Sequence, residues 1–220
     1  TGIVLERTVP GLWIVAYSAM LSATGLLGIY LYGDREGWNN IPRTFGIIGV
    51  VVLAYLFTWS EMWRDIGWHH VRSYGYYRPW GQWLDGAITL SFLAGWILVA
   101  IKTFRRNSIE TITLSVFPVV ATSCFIVGSL TSESDLLNVL VFNAFMLFLG
   151  IMYIVMGCRN LKLRQLNGGM AIVSLLLVTR FFDAGFGYLE RGIVFIGLGA
   201  SFLTVNLVMV HRKRQKEVAA

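Results

Sequence analysis

Runs of about twenty apolar residues without a charge recur along this chain, and each is long enough to cross the hydrocarbon core of a bilayer as a helix. The stretches Gly11 to Tyr32, Thr111 to Leu130, Leu136 to Gly157 and Gly192 to Val210 contain no Asp, Glu, Lys or Arg. Thr44 to Trp63 carries only Glu61, near its end, and Leu84 to Ile101 only Asp85, near its start. Gly168 to Tyr188 passes the same test less easily, because Arg180 and Asp183 lie inside it. The pattern predicts about seven spans, near 11–32, 44–63, 84–104, 109–130, 136–157, 168–188 and 192–210, in one transmembrane domain covering 1–220.

Composition agrees. The chain is 56% hydrophobic and 14% charged, against roughly 45–50% and about 25% in soluble domains. Seven spans of 220 residues leave almost nothing for a soluble domain. The apolar runs are continuous, whereas a barrel strand alternates over roughly ten residues. In lipid every backbone N–H and C=O must be paired within the protein, which continuous helices achieve. The fold class is therefore all-α, a polytopic transmembrane helix bundle. Gly25 and Gly28, Gly46 and Gly49, and Gly197 and Gly199 mark faces where helices can approach closely.

Basic residues gather in alternate gaps between spans. Arg35 and Arg43, then Lys102, Arg105 and Arg106, then Arg159, Lys162 and Arg164, then Arg212, Lys213, Arg214 and Lys216 make up two thirds of the 18 Lys and Arg residues. The positive-inside rule places these gaps in the cytoplasm, so the N-terminus is expected outside and the C-terminus inside, in the inner membrane of a bacterium. The formal net charge of +6 then faces anionic lipids at the cytoplasmic surface, the expected partner beside the bilayer itself. Nucleic acid is not expected as a partner, since no aromatic and basic surface domain exists to bind it. The chain begins at Thr1 rather than Met, as expected of a trimmed N-terminus or a piece of a longer polytopic protein. No signal-peptide pattern precedes Gly11. Cys124 and Cys158 fall at different depths and are not expected to pair.

Two clusters are candidates for chemistry. The first is the outer stretch WSEMWRDIGWHHVRSYGYYRPWGQW, which holds Trp59, Trp63, Trp68, Trp80 and Trp83 with Tyr74, Tyr76 and Tyr77. Such rings suit an interfacial belt, or the lining of a site for a ligand or a lipid headgroup. Glu61, Asp65 and His69 recur every four residues, so a helix continuing through them would align two carboxylates and an imidazole on one face. That set could bind a divalent metal, and His69 or His70 could serve as acid or base. Against this, Arg64 and Arg72 are close enough to pair with the carboxylates, and Gly67 weakens the helix. The expectation is no metal.

No cofactor is expected either. His69 and His70 are adjacent, so they cannot readily take opposite axial positions on a haem, and His211 belongs to the other face. Lys102, Lys162, Lys213 and Lys216 all lie away from the apolar centres that a retinal would occupy. The second cluster is TRFFDAGFGYLERG, where Arg180 and Asp183 share a helix face and Glu190 and Arg191 open the next helix. These four form either an ion-pair staple between the last two spans or a ligand or ion site. Pro118 could kink the fourth span, and Asn143 and Asn206 could bond across helices. No nucleophile elbow, P-loop or HExxH motif occurs, so no catalytic residue is assigned and an enzyme would rest on the outer stretch alone.

The C-terminal run RFFDAGFGYLERGIVFIGLGASFLTVNLVMVHRKRQ resembles the end of a group of bacterial polytopic membrane proteins, a domain of unknown function. The matching positions are Arg180, Phe181, Phe182, Asp183, Arg191, Gly192, Phe195 and the Arg212 to Arg214 cluster, and HHVRSYGYYRPWGQWLDGA is loosely similar to a middle portion of that group. The resemblance covers about the last fifth of the chain. It implies a bacterial inner-membrane protein and carries over no catalytic residue. The expected role is a non-enzymatic membrane bundle, with a transporter or small-molecule sensor built on Arg180 and Asp183 as the alternative. A membrane enzyme acting on lipid headgroups through Glu61, Asp65 and His69 is the second alternative.

Overall fold

A computed structural model describes residues 11–33, 40–66, 79–104, 108–130, 135–183 and 188–218. The described residues are helical, in the order α1 (Leu12–Tyr32), α2 (Ile41–Leu56), α3 (Ser60–Asp65), α4 (Pro79–Thr103), α5 (Ile109–Leu130), α6 (Asp135–Asn160), α7 (Leu163–Asp183) and α8 (Tyr188–Val218). Four of these segments are long and apolar enough to cross a membrane: Leu12–Tyr32, Trp83–Thr103, Ile109–Leu130 and Asp135–Asn160. The segments Ile41–Leu56 and Gly192–Val208 are apolar but shorter. The chain divides into two compact units, Thr1–Phe142 and Asn143–Ala220.

The first unit is built around α1, which packs against α2, α4 and α5. Ile14, Ala16, Ala19 and Leu26 have no exposed surface, as befits a helix that is apolar all round. The helix stops at Gly33, whose φ of 62° suits a residue without a side chain. Asn40 then starts α2: its Oδ1 accepts from the Arg43 N–H at 3.2 Å, and its Nδ2 donates to the Gly28 carbonyl of α1 at 3.1 Å. One buried amide thus caps one helix and ties it to another.

That tie requires glycine where the two helices meet. A β-carbon at Gly46 would fall on the Gly25 backbone, and one at Gly28 would fall on the Arg43 amide and the Asn40 side chain. Gly49 likewise accommodates the Leu21 side chain. The expected close-approach faces are present at these four positions. Gly197 and Gly199 of α8 differ, since a β-carbon there would meet nothing within 4 Å.

The continuous span expected over 44–63 is corrected to two helices. The α2 helix ends at Leu56, Trp59 is extended at φ −93° and ψ 131°, and α3 follows as a separate segment of 6 residues. The physical reason is the Trp63 ring, which folds back into the core with no exposed surface and donates from Nε1 to the Phe57 carbonyl at 2.8 Å. It satisfies a helix-end acceptor that would otherwise be orphaned. Phe57, Trp63 and Phe142 pack with ring centroids 4.8–5.7 Å apart, and Trp13 joins through Phe57 at 5.8 Å. Trp63 is accordingly a core residue rather than part of an interfacial belt, whereas Trp83 is highly exposed.

In the second unit, Leu166 and Met170 of α7 form a core with Ile154 and Cys158 of α6 and Phe202 and Val205 of α8. The α7 helix starts at Leu163, five residues earlier than the expected span, and its described part ends at Asp183. The α8 helix runs for 31 residues and carries the basic cluster inside it rather than as a tail.

Replacing Gly46 by Ala is expected to lower stability in detergent by about 1–3 kcal/mol through overpacking. Replacing Gly95, where a β-carbon meets nothing, should leave stability unchanged or raise it by up to about 1 kcal/mol. Thermal unfolding of the two variants beside the parent checks this opposition.

Candidate functional site

Among the described residues, a largely buried charged pair joins the first turns of two helices. Arg43 lies at the start of α2 and Glu110 at the start of α5. A helix N-terminus carries partial positive charge, which favours Glu110 where it is and disfavours Arg43. What holds Arg43 there is the carboxylate: Nε and Nη2 both reach Glu110 Oε2, at 2.7 and 2.6 Å. The side chains are only 14% and 10% exposed, so this is a largely buried, charge-assisted contact rather than a surface pair. The sequence reading missed it, counting Arg43 only toward orientation and leaving Glu110 outside the charge-free run Thr111 to Leu130. A lone acid beside a span end, in a gap that collects basic residues, was the available signal.

The same end of this unit holds a second cation. Lys102, in the last turn of α4, places Nζ 5.5 Å from the centroid of the Tyr30 ring near the end of α1. Six residues earlier on α4, Trp96 donates from Nε1 to the Leu114 carbonyl of α5 at 3.2 Å. The ends of α1 and α4 and the beginnings of α2 and α5 therefore meet at one end.

The outer-stretch candidates are only partly described. Glu61 pairs with Arg64 on its own helix at 3.3 Å, both well exposed, an arrangement that contributes little stability. The helix containing Glu61 ends at Asp65 and is followed by a turn at Ile66. Residues 67–69, through which a helix aligning Glu61, Asp65 and His69 would run, lie outside the described residues. The Asp65 side chain and all of His69, His70 and Arg72 lie outside the described residues. Among the described residues, no three His, Cys, Asp or Glu side chains are grouped to hold a metal ion.

In the second cluster, Arg180 donates from Nε to Asn143 Oδ1 of α6 at 2.9 Å. Asn143 therefore does bond across helices, while Asn206 donates to the Phe202 carbonyl of its own helix at 3.0 Å. Asp183 is the last described residue of α7, and Glu190 and Arg191 lie in the first turn of α8. The side chains of all three are outside the described residues. Because α7 begins at Leu163, Arg180 stands about 26 Å along it, in the last turn, where the helix C-terminus favours a cation. Cys124 and Cys158 are both free.

Comparison with protein-family models, with curated proteins and with solved structures gives no match.

Two substitution sets test these contacts. Glu110→Leu should cost about 3–5 kcal/mol by removing the carboxylate that Nε and Nη2 of the largely buried Arg43 both reach, and Arg43→Met with Glu110→Leu should cost less than that single change. Asn143→Leu should cost about 1–3 kcal/mol by removing an acceptor of Arg180. Unfolding in detergent measures both, and a double variant worse than the single one would contradict the pairing.

Proposed function

We propose that the chain is a non-enzymatic, multi-pass protein of a bacterial inner membrane, of the polytopic group its C-terminal run resembles. In this reading it crosses the bilayer seven times, with its N-terminus outside and its C-terminus in the cytoplasm, and its cytoplasmic face meets anionic lipid. The Arg43–Glu110 contact carries the reading. Helices α2 and α5 start at the same end of their unit, as an alternating path requires. The pair also commits two ionisable side chains to helix–helix contact rather than to chemistry. Lys102 at that same end supports the assignment of the basic gaps to one face.

A second reading, a transporter or small-molecule sensor, draws on the Arg180–Asn143 contact. An ionisable group in or beside a span is a functional candidate, and Asn143 orients this one from a neighbouring helix. The two readings separate on reconstitution: uptake or ligand binding that is lost in Arg180→Ala, in a variant that keeps its fold, belongs to the second.

Topology is the direct test of the first. With Cys124 and Cys158 replaced by Ser, a single cysteine at Ser132 is expected to react with a membrane-impermeant maleimide on intact cells. One at Asn107 is expected to react only after permeabilisation. Labelling of Asn107→Cys on intact cells would overturn the orientation.

A further inference from the structure

Near the end of the first unit where α1 finishes, two cations have opposite fates. Arg43 is consumed by Glu110. Lys102 is exposed, and among the described residues it is paired with no carboxylate; its contact is with the Tyr30 ring. A lysine at an exposed helix end is ordinarily a solvated, mobile charge. This one is held over an aromatic face within cation–π range. Tyr30 is itself 43% exposed, so the ammonium and the tyrosine present a joint surface outward. Neighbouring residues are apolar and outward-facing: Leu31 and Ile101 are 59% and 68% exposed, as suits contact with acyl chains just below a charged layer.

We propose that the last turns of α1 and α4 form a binding site for the phosphate of an anionic phospholipid headgroup. Lys102 supplies the cation, Tyr30 holds it, and Leu31 and Ile101 meet the acyl chains. This rests on the membrane reading above and goes further by naming the site and the headgroup chemistry. A phosphodiester suits it, because an ammonium is a compact charge that recognises phosphate without demanding a planar partner. The acyl chains tether that phosphate at headgroup depth, which a soluble anion lacks.

The test is lipid retention. The full chain is placed in nanodiscs of mixed phosphatidylglycerol and phosphatidylcholine, released, and the bound lipids counted by native mass spectrometry. The parent should retain phosphatidylglycerol selectively. Lys102→Gln should lower that selectivity about fivefold, the effect of one basic residue near an anionic surface. Tyr30→Leu should lower it about two- to fivefold, while Tyr30→Phe, which keeps the ring, should match the parent. Lys162→Gln, which removes a lysine of the second unit, should also match it. An equal loss in Lys102→Gln and Lys162→Gln, or none in Lys102→Gln, overturns the site. Displacement of the retained lipid by excess inorganic phosphate overturns the lipid as the ligand. A parent that shows no selectivity, yet passes the cysteine-labelling test, overturns the site while the membrane reading stands. Labelling of Asn107→Cys on intact cells removes the cytoplasmic face on which both depend.

Discussion

The approach of two backbones at Gly25 and Gly46 sets the geometry of the first unit. In lipid the chains of the solvent are as apolar as leucine, so helices gain little from burying apolar surface against each other and depend on close packing and hydrogen bonds. With no β-carbon on either glycine, α1 and α2 come near enough for the Asn40 amide to reach the Gly28 carbonyl. The same amide defines where α2 begins, so packing and helix initiation are one event. Once α2 is placed, Arg43 is at hand for Glu110, and α5 is drawn to the same end.

The two units treat their arginines differently. Arg43 meets a carboxylate in a largely buried contact, and desolvating both charges offsets much of their attraction, so the pair serves alignment more than stability. Arg180 sits at the end of α7 and uses the amide of Asn143, with the helix dipole in its favour. The field at a helix start disfavours the arginine placed there, and the field at a helix end favours it.

How much of this could be read from residues depended on the range of each interaction. Helix class, the start of α5 within a residue, and the Gly25, Gly28, Gly46 and Gly49 contacts follow from local runs and spacing. The Arg43–Glu110 pair did not, because 67 positions separate the partners and no periodicity connects them. The break after Leu56 was hidden for a related reason: the residues from Thr44 to Trp63 are apolar enough for one helix. What divides them is a tertiary contact, the Trp63 indole finding the Phe57 carbonyl. Asn143 and Asn206 looked alike as amides inside apolar runs, and only the placement of Arg180 on a neighbouring helix tells them apart.

The length of α2 has a mechanical consequence. Its 16 residues rise about 24 Å, several ångströms short of a typical hydrocarbon core of about 30 Å. Phe57, Trp63 and Phe142 pack together at the end of this short helix. A helix this short is closed by a side chain rather than by further turns: the Trp63 indole caps the Phe57 carbonyl where the next turn would have supplied an N–H.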